Sequence, residues 1–300
     1  NRASILDLMS IDLHIHSSNS DGTDKIEDII DIAINQQLQA ISITDHEFLS
    51  DVEINQSIEI IPGVEMSVSW DYLEINNPFG GIHLLIYFLK KGTPLFELLS
   101  KIREEKKIRN YEILDKLNTV GIKIEKKELD DLETKVPGRP HIANLMKSKG
   151  YVTSLNEAFQ KYLGNGQIGD SRIHQNPIDE VIDIAKESRC LVFLAHPHTL
   201  MSNKDYSFKK SWQNDTFVEK LKKLKALGID GVETYYSSYS KTTSKNLEDI
   251  VNSMSLLKSG GSDYHGDNKP DINIGFGYES NRLNISYELI EAMKEKHAKL

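Results

Sequence analysis

The stretch Ile11-Asp12-Leu13-His14-Ile15-His16 alternates strictly between apolar and polar residues. Such alternation is typical of a β-strand, because successive side chains of a strand point to opposite faces. Asp12, His14 and His16 therefore share one face of the predicted strand, and two histidines at positions i and i+2 can reach one metal ion. Apolar residues then recur at helical spacing over 26–38, which predicts a helix after this strand.

Six further short apolar runs have the length and composition of strands, at 40–44, 58–64, 82–89, 190–195, 229–234 and 255–261. Helical patterns accompany the later runs, at 177–188, 216–227, 243–254 and 286–299. Strands that alternate with helices are typical of parallel sheets. Together with the first strand, these runs predict an α/β fold in which seven strands and their helices form a parallel (β/α)7 barrel.

The strand pattern stops between about 92 and 172, where leucine and isoleucine recur at helical spacing. We therefore predict two parts: a metal-binding barrel formed by 1–91 and 173–300, and an all-helical insertion formed by 92–172 over the barrel mouth. The insert carries its own motif, Gly138-Arg139-Pro140-His141. Proline suits the first turn of a helix, so Arg139 would lie at a helix N-terminus, where backbone N–H groups favour an anion.

Nine potential metal ligands fall in five short motifs, and almost every motif closes a predicted strand. They are His14, His16, Asp21, His46, Glu65, His83, His196, Asp263 and His265. Taken singly, an isolated His-x-His or Asp-His is more often structural than metal-binding. Placed together, imidazoles and carboxylates form the ligand set of Zn, Mn or Fe, and burying them without a cation would be costly. The motifs therefore predict a multinuclear metal hydrolase.

Composition and charge restrict the partners of the chain. It has 36 basic and 45 acidic residues, a net charge of −9, which argues against a surface for long duplex nucleic acid. Cys190 is the one cysteine, so no disulfide framework is possible, and a small buried apolar role is expected. The longest apolar stretches, such as 82–89, are far shorter than the roughly 20 residues of a membrane span. We expect a soluble cytoplasmic protein without membrane contact, and we predict no protein partner.

The order of the motifs HxH, SDG, TDH, PGVE, HLL, AHP and GSDYHG closely resembles that of the PHP (polymerase and histidinol phosphatase) superfamily of metal-dependent phosphoesterases. The resemblance covers about residues 10 to 280. Within the superfamily, GRPHIA followed by Gly-Tyr-Val, Ala-Phe and Tyr-Leu-Gly is similar to the branch that hydrolyses nucleoside 3′,5′-bisphosphates and the 5′ ends of short RNA. It implies a distorted seven-stranded barrel with a helical insert.

The resemblance also implies a site of two or three divalent ions, Mn, Zn or Fe. The first ion would be held by His14, His16, Glu65 and Asp263. Glu65 would bridge to a second ion, held also by His83 and His196. The third would be held by Asp21, His46 and His265. A carboxylate bridge keeps two cations close together, so the implied reaction is attack of a metal-activated hydroxide on phosphorus.

Four more residues are candidates for the site, each with an alternative. Asp45 either orients a ligating histidine or makes a structural contact at the strand end. Arg139 either grips a substrate phosphate through two hydrogen bonds or is a solvated cap of the insert. His141 either contacts phosphate or faces the helix core. His198 stands where relatives often carry a basic residue, and either touches phosphate or lines the mouth.

One segment departs from the family pattern. Relatives usually read Asp-Thr after the TDH motif and continue with a helix of a dozen or more residues, whereas here Glu47-Phe48 leads within about ten residues to the next strand. The second barrel helix is therefore predicted to be missing or reduced to a turn over 47–57. This change affects the pocket wall, and with it the choice of substrate.

These observations predict a divalent-metal phosphoesterase that removes phosphate from small phosphorylated substrates, nucleoside 3′,5′-bisphosphates or the 5′ ends of short single-stranded RNA. An alternative enzyme is a phosphatase of a non-nucleotide monoester, such as a sugar or amino-alcohol phosphate, which the short 47–57 segment would permit. An alternative of another class is a regulatory barrel whose metals stabilise a partner-binding surface. The complete set of ligand motifs favours an enzyme.

Overall fold

The computed structural model describes residues 10–52, 57–71, 82–164, 166–170, 176–201 and 215–300. Within these ranges the strands are β1 (Ser10–Ile15), β2 (Leu38–Ile43), β3 (Glu59–Ile60), β4 (Gly63–Ser69), β5 (Ile82–Tyr87), β6 (Asn176–Pro177), β7 (Leu191–Leu194), β8 (Gly231–Tyr236) and β9 (Leu257–Gly261). The α-helices are α1 (Ile26–Asn35), α2 (Pro94–Thr119), α3 (Lys126–Asp130), α4 (Arg139–Ser148), α5 (Leu155–Ala158), α6 (Ile178–Glu187), α7 (Asp215–Leu227), α8 (Lys241–Ser253) and α9 (Glu288–His297). The predicted α/β class is confirmed.

The strands form two sheets, with the orders β1-β2-β3 and β6-β4-β5-β7-β8-β9. Neighbours in the first sheet are parallel, and so are β7, β8 and β9. Strand β5, however, is antiparallel to both of its neighbours, β4 and β7. The prediction of an all-parallel barrel is therefore wrong at β5, because an apolar run indicates a buried strand but does not encode its direction.

The two sheets meet at one end through isolated bridges that pair Ile15 with Tyr264 and His46 with Glu65. Among the described residues the ladder is not continuous around a closed barrel, and closure stays a prediction. The predicted strand 58–64 is divided by Pro62 into β3 and β4, since proline has no N–H to donate to a ladder.

Strand β5 is buried on both faces, which explains why its run is continuously apolar. Leu84 and Ile86 pack in a cluster with the helices that cover the larger sheet. Leu85 and Tyr87 point the other way and pack in a second cluster with Ile11 of β1. Because the second cluster contains residues from both sheets, the two sheets share one apolar interior.

Between 94 and 164, all of which is described, the chain contains helices and no strand. Helix α2 begins at Pro94, with Thr93 as its N-cap. The helices of this segment have their own apolar cluster, which includes Ile113 and Ile142. The backbone N–H of Val136 donates to the carbonyl of Asn19 at 3.0 Å and so joins the segment to the loop after β1. The proposed division at 172/173 lies outside the described residues.

The segment after β2 contains no helix in 47–52 or at residue 57, the described parts of 47–57. Glu47 forms a turn directly after the TDH motif. The described parts agree with the prediction that the second barrel helix is missing or reduced to a turn, and residues 53–56 lie outside the described residues. None of the described helices is both long and apolar enough to cross a membrane.

Candidate metal centre

All nine predicted ligands converge at the end where the two sheets meet. His14 lies in β1, Glu65 in β4 and His83 at the start of β5, whereas the other six lie on the turns that follow β1, β2, β7 and β9. Three groups of these residues have potential ligand atoms within 4.8 Å of one another. The groups are His14, His16, Glu65 and Asp263; His16, Asp21, His46 and His265; and His46, Glu65 and His83.

Glu65 occupies the middle of the cluster. Its Oε1 lies 2.9 Å from His83 Nδ1 and 2.8 Å from His196 Nε2. Its Oε2 lies 3.0 Å from His16 Nε2 and 3.3 Å from His14 Nε2. Burial would raise the pKa of this carboxyl, but the surrounding histidines, first His14, hold it well below its usual value. One oxygen thus faces each of the two ligand sets that the resemblance assigns to the first and second ions.

Four residues, His14, His16, Glu65 and Asp263, form what we call the buried group, with side chains at most 6% exposed. The Nε2 atoms of His14 and His16 lie 3.1 Å apart, so at most one of them can carry the proton between them. Burial, followed by the charges of His265 and His46, lowers the pKa of His16 to about 3. A neutral imidazole beside two carboxylates is the chemistry of a divalent-metal ligand.

Four further residues, Asp21, His46, His83 and His196, form what we call the open group, with side chains 12 to 27% exposed. They line a cavity of about 250 Å³, together with Pro140, Leu155 and Phe159 of the helical segment. Buried Asp21 Oδ1, His46 Nδ1 and His196 Nδ1 have no hydrogen-bond partner. Ligand atoms that are buried without a hydrogen-bond partner fit a cation site, because a bound cation would offset the cost of their burial.

The backbone is strained at two of these ligands. His196 and Asp263 have left-handed φ angles of 27° and 58°. Residues other than glycine rarely adopt this region, and such outliers are frequent at functional sites. The turns after β7 and β9 therefore hold their ligands toward the cluster at a conformational cost.

Several partners of the ligands were missed by sequence reasoning. Glu233 of β8 accepts a hydrogen bond from the backbone N–H of His196 at 2.6 Å, and its Oε1 lies 2.8 Å from His14 Nδ1. The signal was present, because a fully buried glutamate interrupts the apolar run 229–234. Burial lowers the pKa of His14, whereas neighbouring carboxylates raise it, and Glu233 has the largest effect among them. The net result is a pKa well above the usual value of histidine.

The two aspartates beside ligands have different partners. Asp45 accepts hydrogen bonds from Ser17 N–H at 2.8 Å and from the hydroxyls of Ser17, Ser20 and Ser50. It reaches a histidine only through Ser20, whose Oγ lies 3.4 Å from His16 Nδ1. Asp12 accepts the N–H groups of Ser262 and Gly275, at 2.9 and 2.8 Å, and burial raises its pKa to about 6. Both carboxylates hold loops around the cluster.

His198 lies behind the cluster. The residue is buried. Its Nδ1 lies 2.7 Å from the Tyr239 hydroxyl, and its ring centroid lies 5.4 Å from the ring centroid of Tyr236. Burial lowers its pKa to about 3. It is absent from the described residues that line the 250 Å³ cavity. The ring is therefore neutral and packed among tyrosines.

Arg139 and His141 lie at the N-terminus of α4, on either side of cavity-lining Pro140. His141 Nδ1 accepts the N–H of Gly138 at 3.1 Å. Burial lowers the pKa of His141, whereas the charge of Asp21 raises it. Arg139 Nη1 donates to the carbonyl of Leu163 at 3.3 Å. Burial and the like charge of Arg139 lower the pKa of Arg109 to about 10. The guanidinium of Arg109 is therefore close enough to Arg139 for the two charges to interact.

Comparison with known proteins agrees with this geometry. The family model of the PHP domain matches residues 12–164. The chain is 26% identical to the 5′-3′ exoribonuclease of Haemophilus influenzae, over 85% of this chain and 89% of that protein. It is 24% identical to the 3′,5′-nucleoside bisphosphate phosphatase of Chromobacterium violaceum, over 89% and 91%. It is 23% identical to the phosphoribosyl 1,2-cyclic phosphate 1,2-diphosphodiesterase of Eggerthella lenta, over 85% and 94%.

Solved structures share the fold. A candidate metal-dependent phosphoesterase from Bifidobacterium adolescentis superimposes with a TM-score of 0.76 at 21% identity, over 95% of both chains. An amidohydrolase from Chromobacterium violaceum, with bound sulfate and no metal, gives 0.74 at 22% identity, over 95% of this chain and 96% of that one.

The fold, the ligand set and these relatives together define a metal-dependent hydrolase of the phosphoesterase class. The match to the PHP domain model extends over half of the chain. The chain therefore belongs to the PHP domain family.

Proposed function

We propose that this chain removes phosphate from nucleotides, with nucleoside 3′,5′-bisphosphates or the 5′ ends of short RNA as substrates. The observation that carries the proposal is that the cavity lined by the open group is also bordered by the N-terminus of α4, next to Arg139. Relatives named as an exoribonuclease and a nucleoside bisphosphate phosphatase support the substrate class. In this proposal 1–91 and 173–300 form a distorted barrel, and 92–172 is an insert that grips the substrate.

We assign the metal ligands as the resemblance implies. His14, His16, Glu65 and Asp263 would hold one ion, Glu65 with His83 and His196 a second, and Asp21, His46 and His265 a third. When bound, divalent ions such as Mn, Zn or Fe neutralise phosphoryl charge and lower the pKa of water. His46 also lies within reach of Glu65 and His83, so it can serve either of the two outer ions.

The residues of the chain itself orient these ligands. Glu233 fixes the His14 ring through Nδ1, which leaves Nε2 facing the cluster. The Ser67 hydroxyl lies 3.1 Å from His83 Nε2, which leaves Nδ1 facing Glu65. We propose that Asp45 is a positioning residue, which holds the Ser20 hydroxyl that contacts His16 Nδ1.

Arg139 and His141 would bind the phosphate that is not cleaved. In this proposal the backbone N–H groups at the start of α4 and the Arg139 guanidinium, which also donates to the carbonyl of Leu163, would together form the anion site. The nearby charge of Arg109 strengthens that field. With a net charge of −9 the chain offers little attraction elsewhere, so affinity is expected to depend on two phosphates and not on strand length.

The test compares substrates with one and two phosphates on the Mn-loaded protein. We expect adenosine 3′,5′-bisphosphate to exceed 5′-AMP in kcat/KM by about tenfold or more, about 1.4 kcal/mol, and to release one phosphate per turnover. Short single-stranded RNA should be a better substrate than duplex. A sugar phosphate hydrolysed faster than every nucleotide would overturn the nucleotide assignment.

A second experiment separates grip from chemistry. Arg139→Ala removes a charge-assisted donor, which typically costs about 1.5 to 3 kcal/mol, so kcat/KM for the bisphosphate should fall roughly 10- to 150-fold. Hydrolysis of a small aryl phosphate should fall much less, because it has no second phosphate. The control is Lys147→Ala, an exposed cation near the other end of α4. Equal losses on both substrates would assign Arg139 to the reacting phosphoryl group.

A non-nucleotide phosphomonoester is the second candidate substrate. Two observations favour a sugar phosphate of this kind: the segment after β2 forms no helix in its described parts, and one relative is named as a phosphoribosyl 1,2-cyclic phosphate 1,2-diphosphodiesterase. The substrate panel above decides between the two candidates.

A further inference from the structure

The turn after β9 carries chemistry that the ligand assignment does not use. Gly266–Asn268 forms a short 3-10 turn directly after His265. The N–H of Asp267 donates to Thr23 Oγ1 at 3.0 Å, and Asn268 Nδ2 donates to the carbonyl of Asp21 at 2.7 Å. The turn is therefore fixed to the loop after β1.

A third contact joins the same turn to the helical segment. Asn144 Nδ2 of α4 donates to Asn268 Oδ1 at 3.3 Å. Gly266 has a φ of 61°, and a Cβ there would lie 2.0 Å from Thr23 Oγ1, so only glycine fits. The backbone that leads into Lys269 is thus held at the rim of the cavity from two sides.

Lys269 follows the turn and reaches into the site. Its Nζ donates to Asp263 Oδ2 at 2.6 Å, and its side chain is 40% exposed. It lines the same 250 Å³ cavity as His46, His83 and His196. Among the described residues that line this cavity, it is the one lysine or arginine.

The other partners of Asp263 leave Lys269 free to do more than neutralise it. The Tyr236 hydroxyl donates to the same Oδ2 at 2.7 Å, so that oxygen keeps a hydrogen bond when the lysine moves. Oδ1 faces away from the lysine, 3.4 Å from His14 Nε2 and 3.5 Å from His265 Nδ1. The ammonium group has three donors, of which Asp263 accepts one.

We propose that Lys269 is a catalytic residue whose ammonium group binds a non-bridging oxygen of the phosphoryl group that is hydrolysed. The ligand class is a phosphomonoester dianion, so this inference rests on the proposed function. Lysine suits this role because it is a compact point charge on a flexible stem, which can follow the phosphoryl group while Tyr236 stays on Asp263. It is distinct from Arg139, which belongs to the phosphate that is not cleaved.

The experiment measures phosphate binding separately from turnover. Lys269→Met, Lys269→Arg and the matched control Lys258→Met are prepared; Lys258 is also paired with a carboxylate, Glu248 at 2.9 Å, but lies outside the cavity lining. Each Mn-loaded protein is titrated with inorganic phosphate by calorimetry, and its metal content and melting temperature are measured. Activity on an aryl phosphate and on adenosine 3′,5′-bisphosphate is recorded in parallel.

We expect Lys269→Met to weaken phosphate binding by roughly tenfold or more and to lower kcat/KM by roughly 10- to 150-fold on both substrates. Metal content and melting temperature should match Lys258→Met, and Lys269→Arg should recover part of the binding. Loss of metal in step with phosphate binding would overturn the inference and make Lys269 a charge partner of Asp263 only. Unchanged phosphate binding would also overturn it. If the unsubstituted chain hydrolyses none of the phosphoesters, the proposed function fails, but the phosphate titrations still decide the role of Lys269.

Discussion

The buried and open groups of the metal centre differ in the exposed fraction of their side chains, although Glu65 of the buried group also contacts His83 and His196 of the open group. In the buried group the side chains of His14 and His16 are 0% exposed, Glu65 2% and Asp263 6%. In the open group His196 is 12% exposed, Asp21 18%, His46 19% and His83 27%. The exposed fraction of the side chains therefore separates the two groups, although Glu65 and Asp263 of the buried group also line the cavity.

The difference indicates a division of work within one centre. The buried ligands are oriented by other side chains, such as Glu233 on His14 and Tyr236 on Asp263, so their geometry exists before any ion arrives. The open ligands include buried atoms without a hydrogen-bond partner, among them His46 Nδ1. We therefore expect ions to be held most firmly by the buried group, and substrate and water to enter through the open group.

The largest effect is expected from the buried group. Asp263→Ala or His16→Ala should lower kcat by at least about 100-fold, about 2.7 kcal/mol or more, with native circular dichroism. Elemental analysis should show less bound metal in the same variants. The control Asp267→Ala removes an exposed carboxylate of the neighbouring turn. Full activity in chelator, with no transition metal bound, would end the metal hypothesis.

A smaller effect is expected from the open group. His46→Ala removes a ligand from the cluster with Asp21 and His265 but leaves the buried group complete. The protein should bind about one ion fewer per chain, and kcat/KM should fall roughly 10- to 100-fold, about 1.4 to 2.7 kcal/mol. His297→Ala, which removes a half-buried histidine of α9 outside the three candidate ligand groups, is the control. A variant that keeps every ion would show that the open group is not a separate ion site.

Removal of an orienting partner should have a still smaller effect that excess metal can reverse. Glu233→Gln weakens the hold on the His14 ring, so the affinity for Mn should fall by about tenfold, while kcat at saturating Mn should recover. Titration of apoprotein with Mn, followed by calorimetry and activity, measures both quantities. Glu248→Gln on α8 is the control, since Glu248 is paired at the surface. A kcat that stays low at saturating Mn would indicate a direct role for Glu233 in the reaction.

The smallest effect is expected at His198. The ring is buried, neutral and bonded to Tyr239, so His198→Phe should change kcat/KM by less than about threefold, below about 0.7 kcal/mol. The melting temperature should fall slightly, because the hydroxyl of Tyr239 loses a partner. A loss comparable with that of Arg139→Ala would instead support contact between His198 and phosphate.

The convergence of the nine candidate ligands could be predicted from the sequence, because each belongs to a short motif beside a strand, and strand ends of a sheet meet in space. The partners of the ligands were harder to predict. Glu233 is marked only as a single glutamate within the apolar run of β8, and Lys269 follows a turn whose shape depends on contacts with Thr23 and Asp21. The direction of β5 was missed for a related reason, since a strand buried on both faces has the same apolar pattern in either direction.

The reversed direction of β5 places the start of α2 at the end of the sheet opposite to the metal cluster. His83 lies at the start of β5 beside the metal cluster, so the chain leaves this strand at the opposite end, where Leu95 N–H donates to Ser188 Oγ at 2.9 Å. Helix α2 has 26 residues, about 39 Å at 1.5 Å per residue, and on its way back Lys106 pairs with Glu47, next to His46.

The number of α2 residues before Lys106 therefore sets how the later part of α2 is rotated about the helix axis. Each residue added or removed there would turn the later part of α2 by about 100° and shift it by about 1.5 Å. Whole turns would preserve the orientation of the helical segment, whereas single-residue changes would rotate α4 and its cavity-lining Pro140 relative to the cluster. If the proposed phosphate site at the start of α4 is correct, its position relative to the cluster depends on the number of α2 residues that precede Lys106.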